Sequence, residues 1–539
     1  MAFLRQEKKG EATYLRIVQS FRDTDGKIRH RTLFNLGKAT DYSPVALKRI
    51  GQALYELGGG TLEELEHRML HELSRFNYGF PLVVGQLLKA YALDTFFNGV
   101  SRNKNLGFSL KESVSLLISE RLHDPVSKLS NYKNQNDYIG LSAIELHQIY
   151  RTLDHLHYQE EFIKQLIYNK GRNLFNQRLD LVFYDVTTFY FDSNKEDGFR
   201  EKGFGKDGKI GKTIVAFGLL IDQNKQPVGY EVYHGKQYEG HTLSDAIIRL
   251  KKKYQIDKVI CVADTGMMNQ DNLENIESAE YEYIFGERLK NISEDKQDEI
   301  LNLSKYEILE SATGGEDESD DPIKIQYYLT DYKGRKVITT YSAKRATKDR
   351  AEREEKIEKA KTFLTQPAPL EKKAKNHYLK KVKQCNYVLD IDRIKRSERF
   401  DGFMSIATNN NELTIAQILD AYKQLYKIEH SFRSFKTFLE TRPMYHWTKA
   451  RILGHLALCY ISFTVLNYLQ LKLKKQGSPQ SENQIRKNLI KMQMSLVTQN
   501  EHEYYLRSKT EEGAKQIMKV LSIKEMPDLI PRSVINQYL

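Results

Sequence analysis

Cysteine is scarce in this sequence. The 539 residues contain three, Cys261, Cys385 and Cys459, which lie far apart and form no CxxC pair. This spacing supports neither a disulfide framework nor a zinc knuckle, and it favours a reducing compartment such as the cytoplasm. The N-terminal sequence MAFLRQEKKGEATYLRIV also lacks the apolar core of a signal peptide.

Long apolar runs are equally rare. A single run, residues 452–469 (ILGHLALCYISFTVLNYL), approaches the length of a membrane-spanning helix. It contains His455, Ser462, Thr464 and Asn467, and no second run of this kind accompanies it in a highly charged chain. Polar side chains are costly inside a bilayer. We therefore predict a buried core helix and no membrane partner.

Acidic residues are outnumbered by basic ones. The chain has 83 Lys and Arg against 71 Asp and Glu, which gives a formal charge of +12. A basic balance points to a polyanionic partner, most often nucleic acid, although a merely soluble basic protein has the same composition. With 40% hydrophobic residues the chain can form large cores, so general disorder is not expected. Its length of 539 residues predicts several domains.

The first third of the chain combines a hairpin with helices. Residues 12–37 alternate around Thr24-Asp25-Gly26-Lys27, which predicts a β-hairpin. Thr61 and Glu64 have the spacing of a capping box, so a helix is expected to begin there. The periodicity then stays mainly helical to residue 178, which predicts an α-rich region.

The pattern changes to strands at residue 179. Strand-like runs occupy residues 179–191, 212–222, 227–233, 258–264 and 281–286, and helical stretches separate the later ones. Three strands followed by alternating helices and strands indicate a mixed α/β domain rather than a sandwich or a bundle.

Between about residues 290 and 400 this rhythm is interrupted. The segment contains a hairpin, IQYYLTDYKGRKVITTYS, and a charged helical stretch, KRATKDRAEREEKIEKAKTF. Residues 344–384 hold 14 Lys and Arg against 6 Asp and Glu. This predicts an inserted module that either meets phosphates or exposes a solvated charged helix. The expected regions are 1–60 (the β-hairpin), 61–178 (α-rich and expected to bind DNA), 179–289 and 401–475 (two parts of the α/β domain), 290–400 (the insertion) and 476–539.

Two aspartates stand where strands are predicted. Asp185 interrupts the otherwise apolar run LVFYDVTTFYFDS, and a buried carboxylate costs several kcal/mol unless a partner compensates it. Asp264 closes the apolar strand VICVA, at the end where ligands gather in open α/β sheets. Taken singly, Asp185 is also explained as the cap of a bend, and Asp264 as a turn or helix-capping residue.

A third carboxylate, Glu429, lies on a predicted helix from about 413 to 440. Its periodic stripe should pack inward and consists of Ile415, Ile418, Tyr422, Leu425, Glu429, Phe432 and Lys436. A charged carboxylate on a face that packs inward requires a compensating partner or a functional role. An ion pair with Arg433 one turn later or a short coiled coil is the structural alternative.

The three carboxylates are more informative together than singly. Two strand ends and a following helix can converge at one edge of a sheet. Clustered carboxylates repel each other unless divalent cations neutralise them, and hard oxygen ligands select Mg²⁺ or Mn²⁺. Two such ions can stabilise both the attacking and the leaving oxygen of a phosphodiester displacement. We therefore predict that Asp185, Asp264 and Glu429 are catalytic metal ligands.

These residues carry a family resemblance. The segments YDVTTFYFDS, VADTGMMNQDNL, YKQLYKIEHSFRSFK and LETRPMYHWTKARILGHLALCYISF resemble the DDE transposases of bacterial insertion sequences. Within this family, the chain most resembles the branch that has a large β-rich insertion between the second catalytic aspartate (here Asp264) and the catalytic glutamate (here Glu429). The likeness runs through most of the chain, from LRIVQSFRDTDGKIRHRTLFNLGK onward. In the family signature Tyr-x2-Arg-x3-Glu-x6-Lys, Tyr422, Glu429 and Lys436 match, whereas Leu425 fills the arginine slot.

The resemblance implies an α/β fold: an RNase H-like mixed-sheet catalytic domain with an inserted β-rich, charged module. It implies binding of terminal inverted repeats, nicking of the transposon end, and attack of the freed 3′-OH on target DNA. The partners it implies are double-stranded DNA and a second copy of the chain in a synaptic homodimer. Tyr422 and Lys436 are expected to contact DNA phosphates, and Arg433 is a candidate substitute for the missing arginine.

Two alternatives of other classes remain. The first is an NTPase acting on nucleic acid, because residues 206–213 (KDGKIGKT) nearly match the P-loop pattern GxxxxGK[ST]. Lys206, however, occupies the position of the first glycine. A catalytically inactive, DNA-binding transposase relic is the second. Metal-dependent cleavage of DNA distinguishes the main prediction from both alternatives.

Overall fold

A computed structural model describes residues 2–10, 12–60, 71–175, 181–203, 211–237, 242–243, 246, 259–311, 323–365, 377–383, 386–499 and 502–539. The chain divides into two compact units. The first unit comprises Met1–Phe76, Met494–Ser508 and Met526–Tyr538, and the second comprises Asn77–Gln493, Lys509–Glu525 and Leu539.

In chain order, the described strands are β1 (Ala2–Lys9), β2 (Ala12–Arg22), β3 (Ile28–Lys38), β4 (His71–Asn77), β5 (Leu181–Tyr190), β6 (Glu201–Lys202), β7 (Thr213–Asp222), β8 (Pro227–His234), β9 (Ile260–Ala263), β10 (Glu282–Glu287), β11 (Glu307–Ser311), β12 (Ile323–Tyr332), β13 (Arg335–Tyr341), β14 (Leu379–Lys383), β15 (Asn386–Leu389), β16 (Phe403–Thr408), β17 (Gln493–Gln499), β18 (His502–Arg507) and β19 (Leu529–Pro531). The α-helices are α1 (Pro44–Leu57), α2 (Gly79–Ala90), α3 (Leu93–Asn103), α4 (Leu110–His123), α5 (Lys128–Asn134), α6 (Leu146–Tyr158), α7 (Glu160–Phe175), α8 (Gln270–Ser278), α9 (Glu294–Ile300), α10 (Ala343–Thr365), α11 (Ile391–Glu398), α12 (Ile415–Lys423), α13 (Tyr426–Arg433), α14 (Lys449–Lys475), α15 (Glu482–Ile490) and α16 (Glu512–Val520).

The first unit is mainly β-structure. The predicted hairpin is confirmed as β2 and β3, and β1 pairs antiparallel with β2 to make a three-stranded sheet. Its turn is closed by Asp23, whose Oδ1 accepts hydrogen bonds from the Asp25 and Lys27 amides. A four-stranded sheet has the order β19-β18-β17-β4. β4 was not expected, because the sequence around it has a helical pattern.

The second unit begins with the predicted helices. From α2 to α7 the chain between residues 79 and 175 is helical, as its periodicity predicts. Ser109 and Ser127 cap the starts of α4 and α5 by accepting hydrogen bonds from backbone amides one turn later. The helix expected to begin at Thr61 lies outside the described residues.

A ten-stranded sheet forms the centre of the second unit. Its order is β11-β12-β13-β16-β10-β9-β5-β7-β6, with β8 also paired to β7. β9 lies parallel to both β5 and β10, whereas β5 and β7 are antiparallel. All ten residues of β7 are buried, as its uninterrupted apolar run predicts. The mixed α/β fold class is confirmed.

The predicted insertion contributes directly to this sheet. Its hairpin is confirmed as β12 and β13, and β13 pairs antiparallel with β16, which in turn pairs with β10. The sheet therefore continues from the segment that holds both aspartates into the insertion. The acidic loop at residues 314–322 lies outside the described residues.

The charged stretch of the insertion is confirmed as the single helix α10. Much of its charge is paired along the helix, for example Lys359 with Glu355 at 2.5 Å and Lys361 with Glu358 at 2.7 Å. Arg353 is buried and pairs with Asp401. Most residues of α10 are exposed, so the helix presents a solvated charged surface. Exposed ion pairs of this kind stabilise a helix only weakly. Contact between this surface and phosphates stays a prediction.

The long apolar run is confirmed as the buried helix α14. By length and composition this helix could cross a membrane, but its apolar window is entirely buried inside the protein. Its polar residues find partners within the fold: Ser462 and Thr464 donate to the carbonyls of Leu458 and Tyr460 at 2.9 and 2.8 Å. A helix that is apolar on every side is typical of the core of a large domain.

A buried lysine joins α7 to β8. The Lys164 ammonium lies 2.9 Å from Glu160 Oε1 and 3.8 Å from Glu231 Oε1, and 4.2 Å from the centroid of the Tyr230 ring. Burial opposes the charge of Lys164, but these carboxylates raise its pKa. Burial also raises the pKa of Glu160, but His157 and Lys164 outweigh burial and lower it to about 2. The network thus fixes the helical region to the sheet.

We predict that Lys164→Met lowers the free energy of unfolding by about 3 kcal/mol, because it leaves Glu160 and Glu231 close together without their cation. Denaturant unfolding measures the loss, and Lys170→Met on the same helix is the control, with little expected change.

Because the pKa of Glu160 in the folded protein lies below its usual 4.5, the ionised Glu160 carboxylate stabilises the fold above pH 4.5, and this stabilisation is lost as the pH falls toward 2. Equal stability of the two variants contradicts the prediction.

Candidate active site

Asp185 lies in the middle of β5, so it does not cap a bend. Val182, Tyr184 and Val186 belong to the apolar core on one face of the sheet, and the alternation of the strand places Asp185 on the opposite face. It is half-buried, and its Oδ1 accepts a hydrogen bond from the Val186 amide at 2.7 Å. The helix α13 packs against β5.

Asp264 follows β9, the parallel neighbour of β5. The two strands pair as far as Phe183 opposite Val262, and Asp185 and Asp264 each stand two residues farther along. Asp264 is exposed and precedes the 3-10 turn Thr265–Met267, but its side chain makes no capping hydrogen bond. Side-chain capping is therefore not observed, although Asp264 does begin a turn, in which its carbonyl accepts from the Met267 amide at 3.0 Å. The parallel register places the two aspartates at corresponding positions on neighbouring strands.

Tyr422 positions the Asp264 carboxylate. Its hydroxyl donates to Asp264 Oδ1 at 3.5 Å. Burial and the neighbouring Asp264 charge raise the pKa of Tyr422, so the phenol keeps its proton and remains a donor. Gly286 on β10 makes room for this contact, because a Cβ there would lie 2.4 Å from the Tyr422 hydroxyl and 2.5 Å from Thr265 Cγ2.

The predicted continuous helix around Glu429 is wrong. It is divided into α12 and α13, and the amides of Leu425, Lys427 and Ile428 bond to carbonyls three residues earlier. These bonds tighten the chain at the junction, although Ile418 before it and Phe432 after it are both buried. Lys427 fixes the junction, donating to the carbonyl of Gln223 at 2.7 Å.

The predicted inward orientation of Glu429 is also wrong, because Glu429 is exposed. In the described part of the chain it forms no hydrogen bond or ion pair, and the alternative pairing with Arg433 is not observed. After α13 the backbone continues as a π-helical segment, Ser434–Phe438, which carries Lys436. π-Helical turns are rare and occur often at functional sites.

A cleft of about 300 Å³ brings several of these residues together. We call it the Asp185 cleft, and its lining residues are Asp185, Val186, Thr187, Glu429, Phe432, Arg433, Lys436, Thr437 and Arg442. Two of the three predicted carboxylates and both predicted basic residues line it, whereas Asp264 does not. Arg442 was missed by the sequence reasoning, although it stands in the quoted segment LETRPMYHW. The cleft thus sets two acids among three cations.

The predicted metal ligands have suitable chemistry for a hard divalent cation. The donors are carboxylates only, without sulfur or imidazole, which favours Mg²⁺ or Mn²⁺ over zinc. Asp185 and Asp264 occupy neighbouring positions, and Glu429 is not committed to another partner among the described residues. In this arrangement, however, no three acidic, histidine or cysteine side chains of the described residues lie close enough to hold one ion together.

The P-loop alternative fails on its structural context. In a P-loop the lysine and the following Ser or Thr begin a helix. In this protein Lys212 is followed by Thr213, the first residue of the buried strand β7. The earlier part of that segment, residues 206–210, lies outside the described residues.

The sequence matches two protein-family models. One is described as "IS1634 family transposase, N-terminal domain" and matches residues 4–64, and the other is "Transposase DDE domain" and matches residues 176–463. The second match contains Asp185, Asp264 and Glu429. A comparison with curated proteins gave no match.

Among solved structures, the chain is similar to several transposases. A cryo-EM structure of the piggyBac transposase synaptic complex with hairpin DNA is 9% identical, with a TM-score of 0.37 over 76% of this chain and 77% of that chain. The Mos1 transposase paired-end complex with left transposon end is 11% identical, with a TM-score of 0.15 over 32% and 57%. A Mos1 mariner paired end complex with Mn is 12% identical, with a TM-score of 0.14 over 32% and 57%.

We predict that Gly286→Ala destabilises the fold by about 1–3 kcal/mol, because the added methyl group collides with Tyr422 and Thr265. Thermal unfolding measures the change. Gly266→Ala is the matched control, since a Cβ at Gly266 meets nothing within 4 Å. Wild-type stability of Gly286→Ala contradicts the close packing described for this side of the site.

Proposed function

The chain belongs to the DDE transposase family, and we propose that Asp185, Asp264 and Glu429 are the carboxylates with which it cuts and joins DNA. It is an insertion-sequence transposase, an enzyme of DNA transposition. One observation supports the residue assignment above all: Asp185 shares a cleft with Glu429 and three cations, while Asp264 follows the neighbouring parallel strand.

The DDE domain makes this a divalent-metal-dependent enzyme. We propose that two Mg²⁺ or Mn²⁺ ions bind to Asp185, Asp264 and Glu429. When bound, such ions supply charge stabilisation at the phosphodiester and activate the attacking oxygen. The chain's own contribution is to orient the carboxylates. Tyr422 does this for Asp264, and the backbone amide of Val186 does it for Asp185.

Basic residues of the cleft are proposed to bind the DNA backbone. Lys436 and Arg433 line the Asp185 cleft beside the carboxylates, where their charges attract phosphates. Arg442 lines the same cleft and is a further candidate. A guanidinium can bind a phosphate through two parallel hydrogen bonds, so Arg433 or Arg442 offers what Leu425 cannot. The DNA contact of Tyr422 rests on the family signature, since its hydroxyl is directed to Asp264 in this structure.

The substrate we propose is double-stranded DNA, both as transposon ends and as target. A homodimer that holds two ends, a cytoplasmic location and the regions predicted from the sequence are part of the same proposal. The net charge of +12 supports binding to a polyanion. An inactive relic is the second candidate, and only an assay of catalysis separates it from an active enzyme.

We predict that the protein nicks a plasmid carrying the element's own flanking DNA in the presence of Mg²⁺, and that Asp185→Asn, Asp264→Asn and Glu429→Gln each reduce cleavage by at least about 1,000-fold. The reason is that each variant removes one negative ligand while keeping the side-chain shape. Gel analysis of strand cleavage measures the effect, and Glu412→Gln serves as an exposed-acid control.

Retained end binding by the three variants, seen in a mobility-shift assay, shows that the loss is catalytic. Cleavage at the wild-type rate by any of them removes that residue from the proposed site. Absence of cleavage by the wild type with its own ends supports the inactive alternative.

We also predict that Lys436→Ala weakens transposon-end binding about 3- to 10-fold and reduces its salt dependence, because one phosphate contact is lost. Fluorescence anisotropy over a range of salt concentrations measures both quantities. Lys423→Ala, an exposed lysine on α12 outside the cleft, is the control. Unchanged affinity, salt dependence and cleavage in Lys436→Ala exclude the proposed role.

A further inference from the structure

Glu429 depends on its helix for its position. Its side chain is exposed, and in the described part of the chain it forms no hydrogen bond or ion pair. A carboxylate without such contacts is oriented mainly by the backbone that carries it. The placement of Glu429 beside Asp185 is therefore determined by whatever holds α13, the eight-residue helix Tyr426–Arg433.

Continuity with neighbouring helices does not fix α13. At its start the amides of Lys427 and Ile428 bond to carbonyls three residues earlier, and at its end the backbone continues as the π-helical segment Ser434–Phe438. Regular α-helical hydrogen bonding is thus replaced on both sides of Glu429. A short helix bounded in this way takes its orientation from contacts with other elements.

Two kinds of contact supply this orientation. α13 packs against β5 and β7, and its apolar side chains Ile428 and Phe432 are buried. Apolar packing is not directional, so it restrains the distance of the helix from the sheet more than its rotation. A directional contact comes from Lys427, whose ammonium donates to the backbone carbonyl of Gln223 at 2.7 Å and to Gln424 Oε1 at 2.6 Å.

The carbonyl that accepts from Lys427 belongs to a firmly held turn. Gln223 lies in the turn between β7 and β8, which begins at Asp222. Asp222 is completely buried, and its Oδ1 accepts hydrogen bonds from the amides of Asn224 and Gln226 at 2.8 and 2.7 Å. A carboxylate that closes a turn through two backbone amides restricts the conformation of the whole loop. Lys427 therefore contacts a rigid partner.

The same turn is connected to the core and to the strand that carries Asp185. From α14, Asn467 donates to the carbonyl of Lys225 at 3.2 Å. β7 leads into the turn and pairs with β5, where Asp185 stands opposite Leu219. A series of hydrogen bonds therefore runs from the Asp185 strand through the turn to α13.

We propose that Lys427 is a positioning residue for the reaction: by holding α13 to the β7–β8 turn, it places Glu429 so that Glu429 and Asp185 serve the same metal centre. This proposal rests on the proposed function, in which both carboxylates are metal ligands. Lys427 does not line the Asp185 cleft, so it acts through the helix and not on the DNA. Groups that hold metal ligands in place affect metal affinity almost as strongly as the ligands themselves.

Binding of Mn²⁺ alone to the full-length protein tests this role, because it requires neither DNA nor catalysis. The electron paramagnetic resonance signal of free Mn²⁺ is lost on binding and reports the affinity. We expect Lys427→Met to weaken Mn²⁺ binding about 10-fold. Lys423→Met is the matched control, since Lys423 is exposed on α12, and it should bind Mn²⁺ as the wild type does. Unchanged Mn²⁺ affinity in Lys427→Met overturns the proposal.

A double-mutant cycle separates positioning of Glu429 from general stabilisation of the fold. If Lys427 acts through Glu429, then Lys427→Met adds less than about 2-fold to the loss of Mn²⁺ affinity that Glu429→Gln already causes. A loss of full size in both backgrounds overturns the proposal, because Lys427 then acts through other groups. If Lys427→Met does not fold, Lys427→Gln takes its place, since its side-chain nitrogen lies one bond closer to the backbone than the lysine ammonium.

Cleavage and DNA binding give a second measure. In Lys427→Met, cleavage at saturating DNA is expected to fall about 10-fold, while transposon-end affinity stays within about 2-fold of the wild type. The reason is that Lys427 lies outside the cleft that is proposed to bind phosphates. A loss of end affinity with a normal cleavage rate at saturation assigns Lys427 to DNA binding and overturns the proposal.

Failure of this proposal is distinguishable from failure of the proposed function. Normal Mn²⁺ binding in Lys427→Met, together with weakened binding in Glu429→Gln, removes the positioning role and leaves the ligand assignment standing. Normal Mn²⁺ binding in Glu429→Gln contradicts the ligand assignment and, with it, this proposal.

Discussion

The parallel pairing of β5 with β9 is the constraint on which the site depends. These strands are far apart in sequence, and their register places Asp185 and Asp264 two residues beyond the last pair, Phe183 and Val262. Both residues of that pair are completely buried. A shift by one residue would turn each side chain to the other face of the sheet and expose the core. The hydrophobic packing of the sheet therefore determines the positions of the two acids.

Placing acids close together is unfavourable, and the fold offsets this in two ways. Tyr422 donates a hydrogen bond to Asp264, and a backbone amide donates to Asp185. Arg433, Lys436 and Arg442 surround the Asp185 cleft. Positive charges that line the same cleft as Asp185 and Glu429 oppose the negative charge of these two acids.

The segment after α13 connects the site to the rest of the protein. Arg121 on α4 binds the carbonyls of Leu439 and Glu440, and Arg486 donates to the carbonyls of Leu122 and Phe438 at 2.7 and 2.8 Å. These contacts fix the end of the π-helical segment against the helices of the second unit. Arg442 follows directly and lines both the Asp185 cleft and a second cavity of about 670 Å³, which Trp447 also lines. The two cavities thus share one well-anchored stretch of chain.

The sequence by itself determined most of the element types, though not strand β4, together with the mixed α/β class, the buried helix α14 and the three candidate carboxylates. These follow from local signals: apolar periodicity, turn residues, and charges in places where apolar residues are expected. It did not determine that β13 joins the central sheet through β16, that α12 and α13 are separate helices, or that Glu429 is exposed. Nor did it indicate Arg442 or the cavity around Trp447. Only the tertiary structure decided these features, because strand neighbours, helix rotation and cavities depend on contacts between residues far apart in the chain.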